Sequence, residues 1–156
     1  PATISEAYER LLQSGAVTPT DARAGVGHVR LSILPGFEAT ATDVRQIILP
    51  EFLVRREIGQ RSIERLRWAN NPSNVLAPEY KADALLLVDS QISSRDAVVD
   101  GAVYAFLLRG RPSVRRILLR KKHWILTGAS GSRTDEDLDV RDLDQLEVCG
   151  LVVGAC

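Results

Sequence analysis

The chain has 156 residues, 45% hydrophobic and 26% charged, which is material for one buried core and the size of one domain. Twenty basic and twenty acidic side chains cancel, so no global charge pulls the chain toward nucleic acid or membrane. Two cysteines and two histidines give neither a disulfide framework nor metal-ligand spacing, and no apolar run reaches about 18 residues.

In chain order, residues 3–14, TISEAYERLLQS, set Ile4, Tyr8, Leu11 and Leu12 at helical spacing, with Thr3 or Ser5 as a cap. GAVTPTDARAGVG then reads as a linker, so residues 1–28 form a helix and linker and residues 29–156 the domain proper. From Val29 the texture changes to short strand-like runs split by turn residues. They are HVRLSIL, VRQIIL, IERLRWA, ALLLVD, AVYAFLL, SVRRILL, HWILTG and LEVCGLVV. PEFLVRREIG predicts one short inserted helix, with Pro50 in its first turn and Gly59 ending it. The expected fold is therefore mostly β, a small strongly bent sheet or partly open barrel with an N-terminal helix and one inserted helix. The N-terminus has no signal-peptide core, and a cytoplasmic protein without a cofactor is expected. With no methionine in the chain and Pro1 at its start, a fragment of a longer protein is also expected.

Charge is uneven along the domain. Seven Lys or Arg residues lie between Arg109 and Lys122, and the acidic run DEDLDVRDLD begins at Asp135. The plain reading is a solvated, dipolar surface, and an electrostatic contact between subunits is the functional one. DGAVYAFLLRGRPSVRRILL reads as two strands around a tight turn, with Arg115 and Arg116 among apolar neighbours on the second.

The succession PEYKADALLLVDSQ, VVDGAVYAFLLRGRPSVRRI, HWILTG and LEVCGLVVGAC resembles the C-terminal domain of LexA-type and lambda-type phage repressors, a self-cleaving serine peptidase fold. Pro78, the run Leu85 to Asp89, Asp100, Gly101, Tyr104, Gly110, Val114, Arg116, Gly150 and Val152 fit the slots of that pattern. The resemblance runs from about Val29 to Gly154 and implies a Ser-Lys dyad that cuts the chain at an upstream Ala-Gly pair. A serine hydroxyl would attack while a lysine of lowered pKa takes its proton.

Three parts of that machinery are replaced together. Counting back from LLLVD through Pro78 puts Val75 at the serine position, and valine has no nucleophile. Arg115 stands at the lysine position, and a guanidinium keeps its proton at any usable pH. Such a group is suited to pairing with an acid or to donating to carbonyls. The cleavage pair becomes Ala41-Thr42, while Ala24-Gly25 falls too early, in the linker. Ser73, in NNPSN, is the alternative nucleophile, although that stretch reads equally well as a turn. Lys81, Lys121 and Lys122 lie elsewhere in the pattern and read as solvated.

The resemblance then implies the oligomerisation and regulatory domain of a helix-turn-helix transcriptional repressor, catalytically degenerate and non-cleaving. An active autoprotease using Ser73 is the alternative. The expected partner is a second copy, as homodimer or higher homo-oligomer. DNA is bound only through a separate N-terminal domain, and an antirepressor protein is a candidate trigger. No membrane partner and no metal are expected. Leu151, Val152 and Val153 in the last strand are the candidate interface residues, with at least one of them core by strand alternation. A third reading takes the Arg109–Lys122 cluster as a nucleic-acid surface, against which stand the neutral charge and the scarcity of interleaved aromatics. Phe106 and Trp124 are expected in the core.

Overall fold

A computed structural model describes residues 27–41, 43–128 and 135–156. The N-terminal helix expected at residues 3–14 and its linker up to residue 26 lie outside them, as do Ala24-Gly25 and Thr42, while His28, expected in the linker, opens the first strand. The described chain is mostly β. Strands β1 (His28–Ser32) and β2 (Gln46–Pro50) form an antiparallel pair, followed at once by α1 (Glu51–Ile58). Strands β3 (Leu66–Asn70), β4 (Leu85–Asp89), β5 (Val103–Leu108), β6 (Arg111–Leu119), β7 (His123–Thr127), β8 (Glu136–Asp139) and β9 (Leu146–Ala155) form one antiparallel sheet. Its order is β3-β4-β9-β5-β6-β7-β8, so the last strand runs through the middle and the barrel does not close.

Local chemistry explains several of these elements. Pro50 precedes α1 and Gly59 caps it at φ 64°, a left-handed conformation that glycine adopts without a Cβ penalty. The β5–β6 connection has Arg109 at φ 50° and Gly110 at φ 79° between the paired Leu108 and Arg111. Two consecutive positive φ values are the type I′ hairpin turn, whose twist matches that of the flanking strands.

The core is built on both faces of the sheet. On β4, Leu85 and Leu87 face one cluster with Leu31, Leu49, Val54 and Trp68, closed over by β1, β2 and α1. Leu86 and Val88 face the opposite side, where Leu34, Phe37 and Leu76 cover them from non-strand segments. A third cluster, with Tyr104, Phe106, Ile117, Leu126 and Leu138, lies at the β5–β8 end of the sheet. Phe106 is fully buried, as expected, while Trp124 is half-buried against that cluster.

Strand β9 serves all three clusters because its register shifts twice. Opposite β5, Ala105 pairs with Gly150 but Phe106 pairs with Val148, so Cys149 is the extra residue. The shift reverses which alternate residues face which side, so Val148 packs in the third cluster and Val152 in the second. A further shift opposite β4, between the Val88–Val152 and Leu87–Gly154 pairs, leaves Val153 to pack against the first. Gly150 is required by this crowding: a Cβ there would lie 2.7 Å from the Asp89 carbonyl oxygen and inside contact with Val88 Cγ1.

Candidate functional site at the end of the β6–β7 ladder

Strand β6 pairs with β5 from Arg111 to Arg116, but with β7 only from Arg116 to Leu119. The ladder therefore ends at Arg116–Thr127. Gly128 is the next residue, and one further step of the register sets it opposite Arg115. The carbonyl oxygen of Val75 lies against Gly128, so close that any Cβ there would collide with it. The positions that the resemblance equates with nucleophile and base, Val75 and Arg115, thus lie at the same end of the same ladder. Val75 is half-buried against the second cluster.

The two arginines of the hairpin do different things. Arg115 lies on the strand face shared with its cross-strand partner Tyr104, and its guanidinium donates to the Leu126 carbonyl at 3.4 Å. Arg116 reaches Glu79. It donates to Glu79 Oε2 and to the Gly101 carbonyl, both at 2.6 Å. Those bonds tie the Val75–Tyr80 segment and the turn before β5 to one side chain. Donation to a carbonyl is one of the two roles expected of Arg115, and the alternating strand directs its neighbour Arg116 toward the Pro78 segment.

The same segment is held from its other side by buried amides. Asn71 Nδ2 donates to the carbonyls of Tyr80 and Lys81 at 3.2 and 2.8 Å, and its Oδ1 accepts from the Ser73 N–H at 3.4 Å. Ser73 is therefore part of a turn organised by Asn71, half-buried. Lys81, Lys121 and Lys122 are exposed. Burial and the neighbouring Glu79 hold the Tyr80 phenol above its ordinary pKa. Asn70 donates to the Thr40 carbonyl at 2.8 Å, which fastens the Glu38–Ala41 stretch to β3. Ala41, half of the expected Ala41-Thr42 pair, is buried in the first cluster. The roles of Glu79, Asn70 and Asn71 were not anticipated. The adjacent asparagines between a strand-like run and a proline were the available signal.

Among the interface candidates, Val152 is core, 7% exposed, while Leu151 and Val153 are half-buried against the third and first clusters. Both hydrogen-bonding edges of β9 are occupied, by β4 and β5, and an interior strand is apolar on both faces without a second copy.

Within the basic run, Arg109 pairs with Glu136 at 3.1 Å, Arg116 with Glu79, and Arg120 with Asp100 at 3.5 Å. Asp100 also accepts the Leu119 N–H at 2.7 Å, closing the hairpin's open end. Among the described residues no group of three or more His, Cys, Asp or Glu side chains is placed to hold a metal ion, and no helix is long and apolar enough to cross a membrane. Compared with protein-family models and with curated proteins, the chain finds no match.

Proposed function

We propose that this chain is the oligomerisation and regulatory part of a helix-turn-helix repressor, and that it does not cleave itself. The observation that supports this reading most is the placement of Val75 and Arg115 beside Gly128. A catalytic arrangement of the resembled type needs a nucleophilic atom and a base there. Valine offers neither, and arginine cannot release its proton. What such a domain then contributes is assembly. Joining two weak DNA-binding modules raises their apparent affinity through effective concentration, with no new DNA contact. With both edges of β9 occupied, assembly through it would use the side chains of Leu151 and Val153 rather than added strands.

Sedimentation equilibrium over a wide concentration range tests the assembly, and a dimer or larger species is the expected result. A monomer at the highest concentration would remove the assembly reading. Incubation at alkaline pH followed by intact-mass measurement tests the chemistry: the mass stays unchanged in this reading, whereas two complementary fragments would point to Ser73 as an active nucleophile.

A further inference from the structure

Helix α1 turns Leu53, Val54 and Ile58 into the core. Its opposite face carries Phe52, with Arg55 and Arg56 one turn later. Phe52 is 60% exposed and is the only aromatic among the large exposed hydrophobics of the described residues. Single exposed apolar residues are ordinary on a surface; what sets this one apart is its place. The Glu51 N–H donates to the Gly27 carbonyl at 2.7 Å, so residues 1–26 meet the described fold beside the first turn of α1. Residues 15–26 number twelve and span at most about 40 Å when extended. Before them, TISEAYERLLQS sets Ile4, Tyr8, Leu11 and Leu12 at helical spacing, with Glu9 flanking that stripe. A lone helix of that length is marginal in water and needs a surface on which to bury its stripe.

We propose that residues 3–14 dock on the outer face of α1 of the same chain, with the apolar stripe over Phe52 and Glu9 toward Arg56. The Arg56 side chain is 70% exposed and its ion pair with Glu57 is long, at 3.9 Å, so it has donors to spare. Arg55 is turned to the Gly59 and Arg61 carbonyls. The aliphatic stems of both arginines extend the apolar ground that Phe52 offers. Helix α1 has eight residues and is about 12 Å long, well within the reach of the linker. The tether gives the segment a millimolar effective concentration, which favours it over a second copy at micromolar protein. Val140, another exposed hydrophobic, follows β8, at the opposite end of the strand order from β3. The docking uses neither Leu151 nor Val153 and stands apart from the assembly reading.

Hydrogen exchange of the full chain, read by mass spectrometry at about 1 and 100 µM protein, tests the proposal. Amides of residues 6–14 are expected to exchange about tenfold or more slowly than in a free peptide of residues 1–26. Phe52→Ser should bring them within about threefold of that peptide, while Val99→Ser, at another exposed apolar site, leaves the protection unchanged. Because Phe52 is exposed, the amides of β4 should stay as slow in its variant as in the parent, which separates lost docking from lost fold. Leu11→Ser should also remove the protection, and adding it to Phe52→Ser should cost nothing more, as expected of two residues in one contact. The same protection at both concentrations is the result expected of a tethered segment. No protection in the parent, protection that survives Phe52→Ser, equal loss in Val99→Ser, or additive loss in the double variant would overturn the proposal. Protection that rises with concentration would overturn it too, by making a second copy the occupant.

Discussion

The two ends of the seven-stranded sheet solve the same problem in opposite ways. An edge strand exposes unpaired N–H and C=O groups that invite another chain. At one end, β3 is covered: Ile33 bridges to Trp68, the Leu34 N–H donates to the Trp68 carbonyl at 2.8 Å, and the Trp68 ring is fully buried under β1 and β2. At the other end, β8 is four residues long and reads EDLD, with only Leu138 turned into the core. Shortness and negative charge protect that edge where packing does not. One end is thus held by buried area, the other by ion pairs and a single apolar anchor.

Trp68→Ala should cost the most, about 3–5 kcal/mol, because a large ring is lost from a closed cluster. Leu138→Ala should cost about 2–3 kcal/mol, the lower part of the range for such truncations. Urea denaturation of both variants would break the comparison if Leu138 proved the costlier. Native-state hydrogen exchange sharpens it further: amides of β3 and β4 should exchange only through global unfolding, and those of β8 through earlier local opening.

Cys149 reports on the strand between the two ends. Burial first, then the Glu147 carboxylate, push its thiol up to about 11. The thiolate is the reactive form, so a raised value means less of it at pH 8. Alkylation there should run about a hundredfold or more below a free cysteine and climb about tenfold per pH unit toward 11. Reaction at the ordinary rate would mean that the register shift at Cys149 leaves the middle of the sheet open.

The smallest effect belongs to Glu79→Gln. Both partners of its bond with Arg116 are partly exposed, at 52% and 32%, so the expected loss is about 0.2–1 kcal/mol and shrinks with added salt. A larger loss would mean that the Val75–Tyr80 segment depends on that one side chain.

The sequence by itself determined the elements whose causes are local. The runs from HVRLSIL to LEVCGLVV became strands, since alternation and β-branched residues act within a few positions. Pro50 and Gly59 bounded α1 for the same reason, and Arg109-Gly110 turned the hairpin. The acidic strand β8 was missed because DEDLDVRDLD carries few apolar residues and reads as a solvated charge run. Leu138 becomes an anchor only once Trp124, its partner across the ladder, is in place.

Only the tertiary structure decided the rest. The central position of β9 depends on pairings with β4 and β5, 38 to 69 residues earlier in the chain, which no local pattern encodes. Its two apolar faces suggested an interface before the fold supplied clusters for both. Which arginine reaches Glu79 was also undecided by the pattern RR, since the two face opposite sides of one strand. That choice was made by where the Pro78 segment packs, and burial of Leu76 and Phe37 across the sheet decides that packing.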